Sequence, residues 1–110
     1  MQLTGQIKNN AFVVTLQGRM DMESSDAFNE TMKNYIAANK MPFILNCKEL
    51  EYINSTGLAS FIHVSQKLDK LNQNFLLCEL QGPVKEIINL SELDTYLKIF
   101  ADEKEALANL

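Results

Sequence analysis

Apolar residues change their spacing several times along this chain, and each change marks an element. Two short alternating runs, LTGQI and AFVVTLQG, flank Lys8-Asn9-Asn10. Alternation suits a half-buried strand, and asparagine tolerates the positive φ of a tight turn, so an N-terminal β-hairpin is predicted. After Gly18 the period lengthens: Ser24 and Ser25 precede Asp26, and Phe28, Met32, Tyr35 and Ile36 then share one helical face. This first helix is expected to end near Asn39, before Pro42. PFILNC follows as a short apolar run of the kind buried on both faces of a parallel sheet.

In EYINSTGLASFI, residues 51–62, a polar knot interrupts core-like sequence. Leu58, Phe61, Ile62, Ser65 and Leu68, widened by Val64 and Leu71, predict a second helix from about Ser55 to Leu71, closed by Asn72-Gln73-Asn74. FLLCEL reads as another strand; Pro83 opens a short helix that buries Val84, Ile87 and Ile88; YLKIF reads as the last strand. Asp102 is placed to cap a closing helix with Ala106, Leu107 and Leu110 on one side and Glu103, Lys104 and Glu105 toward water. Strands alternating with helices give an α/β class: a mixed, mostly parallel sheet of about five strands with about four helices, the hairpin adding an antiparallel edge.

The 110 residues suit one domain, 1–110, with 46% hydrophobic and 22% charged residues, a balance that folds by itself. Net charge is -4 and no Lys/Arg cluster is present, so neither nucleic acid nor an anionic membrane is expected as a partner. No apolar run is long enough to span a bilayer and the N-terminus does not resemble a leader, which makes the cytoplasm the expected location. Cys47 and Cys78 sit inside apolar runs at a spacing that matches no metal or redox motif, and are read as buried free thiols. Met20, Met22 and Met41 are either an adaptable contact patch or core, with core the preferred reading.

The polar knot Asn54-Ser55-Thr56-Gly57 carries the chemistry. Asn54 can cap the second helix, leaving Ser55 and Thr56 in its first turn, and Gly57 can permit close packing on the sheet. A nucleophilic serine needs a base, and the sole histidine, His63, lies eight residues on along the same predicted helix, about 12 Å away along the axis. His63 is therefore a helix-surface or half-buried residue. One glycine makes no phosphate-cradling loop, so no cofactor, metal or catalytic residue is assigned. A serine at a helix N-terminus does suit phosphorylation, because free N–H groups and the helix dipole stabilise the added charge of about -1.5 to -2.

These residues resemble the STAS domain family and, within it, the single-domain bacterial anti-sigma factor antagonists. VVTLQGRMD is similar to the family's second strand and G-R-L-D turn, with Gly18, Arg19, Met20 and Asp21 in those places. PFILNCKELEYINSTGLASFI is similar to the strand, loop and helix start that usually read ILDLSxVxxIDSSGLG, and LSELDTYLKIFADEKEAL resembles the closing strand and helix. The resemblance implies a non-enzymatic partner switch. The unphosphorylated form binds an anti-sigma factor with serine kinase activity of the GHKL type and frees its sigma factor; phosphorylation abolishes binding until a metal-dependent serine/threonine phosphatase resets it. By position, it implies Ser55 as acceptor, with Thr56 as the lesser candidate, and Asp21, Asn54, Ser55, Thr56, Gly57 and Leu58 as the partner-binding loop. Asn54 stands where the family usually has Asp, and Asn46 where its strand usually ends in Asp, replacing two carboxylates expected near the acceptor.

The alternative within the same resemblance is a phosphorylation-independent STAS subunit of a transporter, lipid-transport or sensory complex. A chain that starts with Met and ends soon after its last helix favours the free-standing protein. A receiver domain would need acidic residues where Gln17-Gly18 and Asn46-Cys47 stand.

Overall fold

The computed structural model describes residues 1–110. Strands β1 (Gln2–Lys8) and β2 (Ala11–Met20) form the predicted hairpin, with Asn9 and Asn10 both at positive φ in the turn. Helix α1 (Met22–Ala38) leads to β3 (Phe43–Ile53), α2 (Ser55–Lys70) to β4 (Phe75–Cys78), and α3 (Gly82–Leu90) through a 3₁₀ turn (Leu93–Thr95) to β5 (Lys98–Phe100) and α4 (Glu103–Ala108). The five strands lie in sequence order; β1 runs antiparallel to β2 and every later pair is parallel.

Because the order never reverses, right-handed crossovers put α1, α2 and α3 on one sheet face. Phe28, Met32 and Ile36 of α1, Phe61, Val64 and Leu68 of α2, and Val84 and Ile88 of α3 pack there against Val14, Leu16, Leu45 and Leu77. The phenylalanines meet across the helix pair, Phe28 to Phe61, at 5.7 Å between ring centroids. On the opposite face the alternate residues Ala11, Val13, Ile44, Leu76 and Cys78 are covered through Ala106 of α4. A strand side chain changes face at every residue, which is why two short apolar runs feed both clusters.

Several boundaries differ from the sequence reading. Helix α1 begins at Met22, not after Ser24 and Ser25: Asp21 is the N-cap and Ser24 closes a capping box from the third position. Strand β3 continues past PFILNC to Ile53, because it stays paired with β2 as far as Met20 through two register shifts. Lys48, Glu49 and Glu51 are exposed along this extension while Leu50 and Ile53 are buried. FLLCEL is strand only to Cys78, since Glu79 adopts a positive φ; of YLKIF only the last three residues pair, Tyr96 and Leu97 belonging to the turn before. Leu110 is exposed rather than sharing a buried face with Ala106. Asn72, at positive φ, ends α2 as expected, and Pro83 stands in the first turn of α3.

Candidate functional site

Strands β2 and β3 end side by side, Met20 opposite Ile53, and each runs directly into a helix cap. Asp21 caps α1 and Asn54 caps α2, so two helix N-termini emerge together from one edge of the parallel pair. Asn54 N–H donates to the Met20 carbonyl at 3.1 Å, carrying the ladder one residue past the strand. Its Oδ1 then accepts from Gly57 N–H at 3.1 Å. That amide does the capping the sequence suggested, and the aspartate usual in this place is not required for it.

Gly57 is in this position for steric reasons. A Cβ built on it would lie 2.7 Å from Ile53 Cγ1, 2.9 Å from Met20 Cγ and 3.1 Å from the Met20 carbonyl oxygen. Any larger residue would lift the first turn of α2 off the two strand ends. With the turn seated, Gly57 is buried, Leu58 is half-buried against the core, Thr56 is half-buried and Ser55 is exposed. The two hydroxyls are thus unequal: Ser55 is presented to solvent and Thr56 only partly.

The neighbouring cap uses its serines differently. Asp21 Oδ1 accepts from Ser24 N–H at 3.0 Å, Ser24 Oγ accepts from Asp21 N–H at 2.9 Å and donates to the Arg19 carbonyl at 2.7 Å, and Ser25 Oγ donates to the Asp21 carbonyl at 2.6 Å. The Ser24 N–H, then its hydroxyl, hold the Asp21 carboxyl below its usual range, with Arg19 adding a smaller pull. In α1 the early serines serve their own backbone; in α2 the cap is made by Asn54, and no side-chain bond is needed from Ser55. No acidic residue lies in the first turn of α2.

Arg19 and Tyr52, paired across β2 and β3 beside the caps, stack with the guanidinium 4.2 Å from the ring centroid. Met22, 71% exposed, begins α1 next to them. Sequence reading placed Met22 in the core with Met20; Met20 is fully buried, but Met22 points outward from the first turn of its helix. The Arg19–Tyr52 stack was missed because it depends on the register of a strand extension that apolar patterning does not reveal. His63 is exposed on α2, as expected.

Asn46 does not belong to this site. It pairs with Thr15 while Ile53 pairs with Met20, five residues further along β2, which puts it about 17 Å from the strand end at about 3.3 Å per residue. Its Nδ2 donates to Glu103 Oε1 at 3.0 Å, and Glu103 Oε2 pairs with Lys8 Nζ at 2.8 Å. The amide therefore ties β3 to α4. The expectation of two carboxylate positions beside the acceptor reduces to one, Asn54.

A family model described as STAS domain matches residues 2–106. The chain belongs to the STAS domain family. Among its relatives in that family is the BtrV protein of Bordetella bronchiseptica, named as a candidate anti-sigma factor antagonist, 26% identical over 98% of this chain and 92% of that protein. The anti-sigma F factor antagonist of Paenibacillus polymyxa is 23% identical over 100% of this chain and 95% of its own length. Among solved structures, the Bacillus cell fate determinant SpoIIAA in its phosphorylated form superposes with a TM-score of 0.71 at 16% identity, covering 98% of each chain. No helix of this STAS protein is long and apolar enough to cross a membrane.

Proposed function

We propose that this single STAS domain, residues 1–110, is a cytoplasmic anti-sigma factor antagonist that works by partner switching, with Ser55 as its phosphate acceptor. The observation that carries the reading is the exposed Ser55 hydroxyl at the first position of a sixteen-residue helix whose cap is already supplied by Asn54. The relatives named as antagonists and the phosphorylated SpoIIAA structure support it. The protein binds rather than catalyses: it offers a hydroxyl, and a kinase-type anti-sigma factor supplies ATP and the base. Ser55 Oγ attacks the γ-phosphorus, its proton passes to that base, and the bond to ADP breaks.

Phosphate on Ser55 adds about -1.5 to -2 charges where helix N–H groups and the dipole favour them, so the fold tolerates the modification. The change falls on the docking surface made by Asp21, Asn54, Ser55, Thr56, Gly57 and Leu58. A partner that meets this loop with its own carboxylates or apolar surface then loses several kcal/mol, about 10²-fold in affinity or more. A metal-dependent serine phosphatase restores the hydroxyl.

The test is incubation with the cognate kinase-type anti-sigma factor and ATP, followed by site mapping, with binding measured for Ser55→Ala and Ser55→Asp. The expected result is one phosphate, on Ser55; Ser55→Ala binds but is not modified, and Ser55→Asp does not bind. Normal binding by Ser55→Asp with no phosphate on Ser55 or Thr56 would instead support a phosphorylation-independent STAS subunit.

A further inference from the structure

Away from the caps, α1 and α2 leave an open groove between them. Two adjoining cavities of about 390 and 490 Å³ share Lys33, Ile36 and Lys67, so the groove is continuous along the helix pair. Toward the helix N-termini its rim carries Asp26 and Glu30. Toward the C-termini the rim carries Lys33, Lys40 and Lys67 and no carboxylate, over a floor that includes Ile36, Leu68 and Leu71.

Three features of the groove bear on what could fill it. Leu71 is 53% exposed at the end of this floor. None of the rim charges is paired, since the one ion pair in the molecule joins Lys8 to Glu103. Asn29 Oδ1, in the same groove, is sealed from solvent yet accepts no hydrogen bond. A sealed acceptor without a donor is costly, so the α1 wall of the groove carries an unsatisfied group.

The order of charges identifies the occupant. Helices favour acidic residues in their first turn and basic residues in their last. A third helix lying antiparallel to α1 and α2 would bring an acidic first turn against Lys33, Lys40 and Lys67, and a basic last turn against Asp26 and Glu30. Its apolar stripe would cover Ile36, Leu68 and Leu71, the usual way an amphipathic helix fills a groove. We propose that the α1–α2 groove is a second docking surface, which takes an amphipathic helix of a partner protein in this antiparallel direction. On α2 the basic end of the groove is marked by Lys67, twelve residues from Ser55 and about 18 Å along the axis, so the lysine contacts lie outside the Ser55 loop.

The probe is a synthetic sixteen-residue peptide with a leucine stripe, Glu in its first two turns and Lys in its last two, held helical by a staple on its outer side. A second stapled peptide has the Glu and Lys blocks exchanged. Both are titrated into the full chain and followed by NMR. The Glu-first peptide is expected to bind about tenfold tighter or more, with shifts at Asn29, Lys33, Ile36, Lys67 and Leu71. The preference should vanish in the Lys33→Glu/Lys67→Glu double variant, whose substituted side chains lie on the rim. Equal affinity for the two peptides, no binding below about 1 mM, or shifts confined to the Ser55 loop would overturn the proposal.

Discussion

Replacing Gly57 by alanine tests whether close packing, rather than backbone freedom, places Ser55. Gly57 has no left-handed φ, unlike Gly18 at +112° and Gly82 at +36°. An added methyl instead runs into Ile53 Cγ1 at 2.7 Å and Met20 Cγ at 2.9 Å, with the Met20 carbonyl oxygen at 3.1 Å. Both side chains are fully buried and cannot swing into solvent. Overpacking of this kind costs about 1–3 kcal/mol, while alanine in place of glycine returns at most about 1 kcal/mol in a helix and less in its first turn. The net expectation is a loss of about 1–2 kcal/mol. In urea, with a slope of about 1–3 kcal/mol/M, that lowers the midpoint by roughly 0.3–2 M at unchanged slope. Because the turn must lift to make room, phosphorylation of Ser55 should also slow. A Gly57→Ala midpoint equal to or above the parent's would refute the steric argument, and with it the account of how the strand ends seat this helix.

The Asn54 cap yields a paired prediction. Asn54→Ala should lose about 1 kcal/mol of stability, whereas Asn54→Asp should keep the cap and gain about 0.3–1 kcal/mol from a negative charge at the helix N-terminus, both read by thermal unfolding. Glu103 sets an acid limit: burial pushes its carboxyl up, but hydrogen bonds from Lys8 and Asn46 and the Lys8 charge outweigh it, leaving the pKa below its ordinary value of 4.5. Its folded form thus holds a proton less readily than its unfolded form, so its contribution is present above about pH 4.5 and lost as pH falls through the lower folded value. The stability gap between the parent and Glu103→Gln should accordingly shrink on acidification, and a gap that widens would contradict the pairing. Burial, followed by the charges of Glu103, Glu79 and Asp102, pushes the Cys78 thiol up to about 12, and burial raises Cys47 as well. Neither thiol should react with Ellman's reagent at pH 8 in the native protein, and both should react in denaturant.

The sequence by itself determined the class, the number of strands and the capped helix that begins at Ser55. These follow from local physics: the two periods of apolar residues, the asparagine turn at Asn9-Asn10, and the side-chain chemistry of Asn54. It also marked Ser55 as the residue to watch, through its place at a helix start and through the resemblance to STAS domains. It misjudged the start of α1, because serines favour caps and Ser24 serves from inside the helix; Asp21 was found only through the resemblance. What tertiary structure decided is everything that depends on strand register and on which helices share a face. Pairing with β2 carried the polar half of β3 on to Ile53, which brought Arg19 onto Tyr52 and moved Asn46 far from the acceptor. Packing turned Met20 inward and left Met22 outside, two residues apart with the same side chain. The groove between α1 and α2, with its unpaired charges and the orphaned Asn29 carbonyl, exists only once both helices lie on one sheet face. A periodicity shows which side of a helix is apolar, but not where two such sides stop touching.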